Sequence, residues 1–379
     1  MTPNYIHQQA DWPALRWDAH GLAVLLAETR HAQGRLLGRM EGLGFRLCGE
    51  ANLAVMTEDV VKSSAIEGEV LDIRQVRSSL ARRLGIEVAG VVPSPRAVDG
   101  IVEMMLDATR SFGQPLTAER LFGWHAALFP TGRSGMRRIT VGDWRTAESG
   151  PMQVVSGPIG RERVHFEGPD AKRVAGEMDA FLEWFNAPMA IDPVMKAGVA
   201  HFRFVTIHPF EAGNGRIARA IADMALARAD GRSERFYSMS AQIEAERRAY
   251  YEVLEDSQKG GMDITPWLKW FLECLGRALT RAEGTLAAVL RKAHVWQRIG
   301  TAPVSERQRK VLNRLLDGFE GKLTTSKYAA LTACSNDTAL RDIQALVAQG
   351  VLAQNGGGGR SASYRLIEGE CRTAKGDAQ

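Results

Sequence analysis

Apolar residues recur three and four positions apart through most of this 379-residue chain, and that period constrains the fold more than any other feature. In WDAHGLAVLLAETRHAQGRLLGRMEGLGF it falls on Leu22, Leu25, Leu26, Leu36, Leu37 and Met40. ANLAVMTEDVVKSSAIEG shows it again and stops at Gly68, a residue suited to a helix C-terminus. After the proline-marked linker VVPSPRAVDG it resumes at IVEMMLDATRSF, at LTAERLFGWHAALF and at AKRVAGEMDAFLEWF. A later helix is expected over Asp263–Leu279, with Thr265 as N-cap and Pro266 at the first helical position. The expected class is mainly α. A chain this long exceeds one compact core of ordinary size, so two or three domains are expected.

Two stretches break the helical texture. Between Gly132 and Asp170, the β-prone runs Met152–Ser156 and Arg163–Phe166 flank Gly157, Pro158 and Gly160, which predicts a hairpin. From Ser305, SERQRKVLNRLLDGF opens with Ser305 and Gln308 in capping-box spacing. A short helix, a turn and a longer helix over Asn336–Gln349 follow, then VLAQ and SASYRL as two strands around GGGGR. That order is the winged-helix pattern. The expected recognition helix is weakly basic, with Arg341 beside Asp337 and Asp342. Arg360 in the wing is its best candidate for a DNA contact.

Composition excludes several classes. Hydrophobic residues at 45% and charged residues at 24% are the balance of a globular protein, and a net charge of +4 is too small to diagnose a nucleic-acid binder. Cys48, Cys274, Cys334 and Cys371 form no C-x-x-C pair, which argues against a zinc site or disulfide framework. MTPNYIHQQADWP does not read as a signal peptide, and no run approaches the ~20 apolar residues of a membrane span. A cytoplasmic protein without a membrane partner is expected.

The chemistry concentrates in HPFEAGNGRIARA, His208–Ala220, between an apolar segment and an amphipathic one. Asn214 and Gly215 fall at a helix start, where backbone N–H groups lack partners and the dipole end is positive. Gly213 and Gly215 let a ligand approach the main chain, and such a place binds phosphate. Arg216 and Arg219, three apart, leave one helix face and suit further phosphate oxygens. His208 is the side chain here that titrates near neutral pH, as a general base should. Neither a P-loop nor a Rossmann fingerprint is present.

This stretch resembles the Fic family motif H-P-F-x-[DE]-G-N-G-R-x-x-R, and the likeness covers roughly residues 100–280. It implies a helical bundle, with the hairpin as a flap and a winged-helix domain appended. The expected divisions are an N-terminal helical region over 1–98, a catalytic domain over 99–290 and a winged helix over 300–370. The resemblance also implies transfer of AMP from ATP to a Ser, Thr or Tyr hydroxyl of a target protein, this chain itself included. His208 would take the hydroxyl proton. Gly213, Asn214 and Gly215 would hold the α-phosphate, Arg216 and Arg219 the β and γ phosphates, and Phe210 would anchor the loop. Met152, Gln153, Val154 and Val155 would pair with the target segment. Tyr250 and Tyr251 fall where the family lines its adenine pocket. Ser63–Gly68 matches the inhibitory pattern [ST]-x-x-x-E-[GN], in which Ser63, Glu67 and Gly68 would set Glu67 against Arg219. Residues 5–45 resemble an extra N-terminal domain of some bacterial members. The departure is Ala212, where the family carries a carboxylate for Mg²⁺. Glu211, one place earlier, is a possible ligand, and the ion is expected to be held mainly by phosphates. Transfer of another phosphate-linked group, AMP removal, a DNA-binding regulator with a feeble catalytic core, and homodimer formation all stay open.

Overall fold

The computed structural model describes residues 4–41, 45–88, 90–157, 160–188, 191–300, 304–316, 319, 321–355 and 362–367. Arg360 and Pro158 lie outside them. The chain divides into two compact units, Met1–Ala282 and Glu283–Gln379.

In the first unit, a 3-10 turn at Ile6–Gln8 precedes α1 (Ala19–Glu41), α2 (Phe45–Ile66), α3 (Ile73–Leu84), α4 (Arg96–Arg110) and α5 (Ala118–Leu128). Two-residue strands β1 (Arg133–Ser134) and β2 (Arg137–Arg138) follow, then β3 (Gln153–Ser156) and β4 (Arg163–Glu167). The helices α6 (Ala171–Asn186), α7 (Pro193–Ile207), α8 (Asn214–Asp230), α9 (Met239–Ala245) and α10 (Arg247–Lys259) complete the unit, with α11 (Thr265–Ile299) running out of it. Helices α7 and α8 form the centre. Nearly every side chain of α7 from Val194 to Ile207 and of α8 from Arg216 to Ala227 is buried, so both are covered on all faces where a surface helix would be striped, with Arg203, Arg216, Arg219 and Asp223 among the buried residues. Their starts are well specified. Asp192 accepts from the Val194 N–H with Pro193 at the first position, and Gly213 caps α8 at φ 82°.

The expected hairpin forms. Strands β3 and β4 pair antiparallel, Gln153 with Glu167 and Val155 with Val164, with a bulge between Val154 and Val155. Helix α2 ends at Ile66 and Gly68 takes φ 83°, close to the expected stop. Two differences have physical reasons. Thr265 is the first residue of α11, not its cap: its N–H and hydroxyl both donate to Asp263, and its hydroxyl oxygen accepts from the Asp18 N–H. Helix α3, to which the periodicity assigned nothing, is capped by Asp72 and ended by Gly85 at φ 68°. Its buried face includes Ser78 and Ser79, so its apolar period is broken; Ser79 instead bonds Asp99 at 2.6 Å.

The second unit holds α12 (Glu306–Leu316), α13 (Thr325–Thr332), α14 (Asn336–Ala348) and the antiparallel pair β5 (Leu352–Gln354) and β6 (Tyr364–Leu366). Ser305 and Gln308 make the reciprocal cap: the Gln308 N–H donates to the Ser305 hydroxyl, and the Ser305 N–H to the Gln308 side-chain Oε1. Val295 and Ile299 from the end of α11 join Val311, Tyr328, Ile343 and Leu352 in the core of this unit. Asp342 turns inward to Arg307 and the Tyr328 hydroxyl.

Candidate functional site

The site gathers around the junction of α7 and α8. His208 ends α7 in the left-handed region at φ 52°, unusual for a residue with a side chain. Its Nδ1 lies 3.1 Å from the Val205 carbonyl oxygen. A carbonyl only accepts, so Nδ1 carries the proton and Nε2 keeps its lone pair, the tautomer a base requires. Burial pushes this imidazole down to about 4; Arg145 adds to the depression, while the Val205 bond and the Glu67 charge work against it. His208 is therefore neutral at physiological pH.

Phe210 is fully buried and stacks on His125, ring centroids 4.2 Å apart. Asn214 fastens the loop from the other side. Its carboxamide oxygen accepts from the Phe210 N–H at 2.9 Å, and its NH₂ donates to the Phe210 carbonyl at 2.7 Å. The Asn214 side chain thus shapes the turn, leaving the backbone N–H groups at the start of α8 to face a ligand. A Cβ at Gly213 would stand 2.9 Å from the Phe129 ring, and one at Gly215 only 2.1 Å from Glu67 Oε1. Gly215 is what lets a carboxylate reach the helix start.

That carboxylate comes from the end of α2. Glu67 Oε1 accepts from Arg219 Nη2 at 2.8 Å, and Ser63 accepts from the same guanidinium through its hydroxyl and its carbonyl, each at 2.9 Å. Burial would raise the Glu67 carboxyl; the charge and hydrogen bond of Arg219, with Arg216 and His208 beyond, hold it below its usual range. Arg216 is likewise occupied. Its Nη1 donates to Glu69 at 2.6 Å and its guanidinium lies over the Phe129 ring. Glu69 was not singled out from the sequence, because nothing in KSSAIEGE distinguishes a second acid beyond the pattern.

Glu211 is turned from the helix start. One of its oxygens accepts from the Thr140 N–H and hydroxyl, and the other from Arg137 at 3.4 Å. Ala212 offers no ligand. Among the described residues no group of three His, Cys, Asp or Glu could hold a metal. These residues do not fit a protein-held ion.

Tyr250 is buried at 2% exposure and its hydroxyl meets His201 Nε2 at 3.0 Å, whereas Tyr251 is exposed at 36% and reaches the Ile66 carbonyl. The flap overlies a cavity of about 500 Å³ lined by Arg137, Arg145, Met152, Gln153, Val155, Val164 and Glu211 among others. It is tethered to α10 through Glu255, which accepts from Arg163, His165 and Lys259. Although burial would raise its carboxyl, these donors bring Glu255 down to about 2. At the flap's base, Phe166 packs edge-on against Tyr5 and His7. Neither Glu255 nor Arg145 carried a sequence signal; each is defined by what folding brings to it.

Residues 115–226 match the model of the Fic/DOC family, and residues 5–86 match that of a domain of unknown function, DUF4172. The chain is 25% identical over 229 residues to protein adenylyltransferase fic-1 of Caenorhabditis elegans, covering 60% of this chain and 41% of that one. It is 34% identical over 104 residues to protein adenylyltransferase Fic of Aedes aegypti, covering 27% and 19%. The chain thus spans less than half the length of these relatives. A Fic family protein from Desulfovibrio desulfuricans shares the fold, with a TM-score of 0.52 at 21% identity over 93% of this chain and 97% of that one. The chain carries a Fic/DOC domain.

Proposed function

We propose that this chain transfers AMP from ATP to a hydroxyl side chain of a target protein, itself included, and that the end of α2 restrains the transfer. One observation carries the reading: carboxylates of Glu67 and Glu69 hold the two arginines at an anion-binding helix start, beside a histidine with a free Nε2. A helix start with two guanidinium groups recognises phosphates, and the carboxylates stand where phosphate oxygens belong.

In the reaction, backbone N–H groups of Gly213, Asn214 and Gly215 hold the α-phosphate while Arg216 and Arg219 take the β and γ phosphates. The target hydroxyl oxygen attacks the α-phosphorus and His208 Nε2 accepts its proton. The bond from the α-phosphorus to the bridging oxygen breaks, and pyrophosphate leaves. Met152 to Val155 pair with the target's main chain, as an exposed strand edge allows. Tyr251 offers a partly exposed ring to the adenine, with Tyr250 behind it. Any Mg²⁺ would come with ATP and be held by phosphate oxygens and water, with no side chain of this loop as its ligand. The relatives named protein adenylyltransferases support this chemistry.

Ser63, Glu67 and Gly68 form the restraint. While Glu67 holds Arg219, the γ-phosphate lacks its guanidinium and ATP lies unproductively. Incubation with α-labelled ATP tests this: Glu67→Gly should take up more label than the parent, and equal labelling would remove the inhibitory reading. A second reading rests on the helix pair α13–α14 followed by β5–β6, which we take as a winged helix serving a DNA-binding regulator. A salt-dependent shift of DNA by the full chain supports that role, and its absence leaves a protein-docking module.

A further inference from the structure

We propose that Arg145 is a positioning residue for the transfer, clamping the His208 main chain and the foot of the flap into one unit. The inference rests on the transferase reading above. Arg145 is buried at 3% exposure. Its Nε donates to the His208 carbonyl at 2.8 Å, its Nη2 to the Pro169 carbonyl just beyond β4, and its own N–H to the Pro209 carbonyl at 2.9 Å. The side chain therefore ties the His208 carbonyl to the segment leaving the flap, and the main chain of the same residue holds the Pro209 carbonyl beside it. Gly168 closes the arrangement: a Cβ there would come within 3.3 Å of Arg145 Nη2 and 3.6 Å of both His208 Cβ and Met152 Cβ.

The cost of this arrangement shows that it is not a generic packing solution. A guanidinium taken out of water is normally matched by a carboxylate. Among the described residues none pairs with Arg145, and Asp170 acts on it only at a distance. Its partners are carbonyl oxygens, and an apolar residue there would need none. What the arginine supplies is a further hold on a left-handed His208, an uncommon conformation for a residue with a side chain. It also places a cation beside the imidazole. The charged groups acting on His208 are Arg145, which disfavours its protonation, and Glu67, which favours it.

The test uses the full chain in the Glu67→Gly background, so the restraint is absent and Arg145 is the remaining charge acting on the base. Arg145→Met should lower kcat about 10²-fold, the order expected for misplacing a reacting group by an ångström, with KM for ATP unchanged. It should also move the acid limb of the pH–rate profile to higher pH, because removing the cation lets His208 take a proton more readily. Arg145→Lys, which keeps the charge but not the fork, should leave the acid limb in place and recover part of the rate. Parental kcat in Arg145→Met, or a rate loss with an unmoved acid limb, would overturn the proposal. Should Arg145→Met not fold, Arg145→Lys decides: reduced kcat with intact ATP binding supports the clamp, and parental kcat refutes it. If the Glu67→Gly parent transfers nothing, the transferase reading falls by itself. Histidine-labelled NMR of the unreacted protein then still decides, since the His208 titration must move upward in Arg145→Met.

Discussion

Ala212 is the residue that separates this site from the motif it otherwise follows. The acid one place earlier is already engaged, because Glu211 accepts from both polar groups of Thr140 and from Arg137. No carboxylate is left at the loop to align an ion on the leaving pyrophosphate. In the Glu67→Gly background, Ala212→Asp should therefore lower the Mg²⁺ concentration for half-maximal transfer and raise the rate, read from a magnesium titration of label uptake. An unchanged titration would mean that phosphates alone serve as well as a protein ligand. The second acid of the α2 end acts at the same scale. Glu69 is half exposed and holds a guanidinium that keeps the Phe129 ring beneath it, so Arg216 stays oriented without the pair. Glu69→Ala should raise transfer by less than Glu67→Gly does, because Arg216 keeps the Phe129 ring beneath it and Glu67 stays on Arg219. A larger gain than from Glu67→Gly would make Glu69 the principal restraint.

Among the elements, the flap's strands and their glycine-rich turn were legible because strand pairing at short range follows local pattern. The capping box at Ser305 was legible for the same reason: both partners lie within one turn. Helix α3 was not, since serines bonded to neighbours stand where the period requires apolar side chains. The clamp of Arg145 and the tether of Glu255 join residues 24 to 92 positions apart, beyond any local pattern. The tether is testable by itself. Glu255 gathers Arg163 and His165 of β4 onto α10, so Glu255→Ala should speed amide exchange over 153–167 while that in α7 and α8 stays parental. Unaltered flap exchange would show that the Tyr5, His7 and Phe166 contacts hold the strand without it.

At the scale of the whole molecule, the helical class was legible from period alone, and the motif loop from its residue types. The occupation of both arginines by one segment needed the fold. Stability carries a further signature. Burial drives the imidazoles of His125, His201 and His208 down to about 4, 3 and 4. The unfolded chain then binds more protons than the folded one below the free value near 6.5, so stability is full above that pH and declines as pH falls towards 4. Asp223 and Asp230, whose carboxyls burial raises, oppose this, while the His7 imidazole, also lowered by burial, adds to it, so two groups stand against four. The thermal midpoint should be lower at about pH 5 than at about pH 7, and an equal or higher one would contradict the neutral buried histidines.

The proposed transfer requires His208 to move AMP and Glu67 to withhold it. Intact-mass measurement after incubation with ATP tests both in one series: parent, Glu67→Gly, and Glu67→Gly with His208→Ala. Little gain is expected in the parent, a gain of one or more AMP groups in Glu67→Gly, and none in the double variant, since loss of a general base costs about 10²–10⁴-fold in rate. A gain that persists without His208, or a Glu67→Gly protein of unchanged mass beside a responsive target, would contradict it.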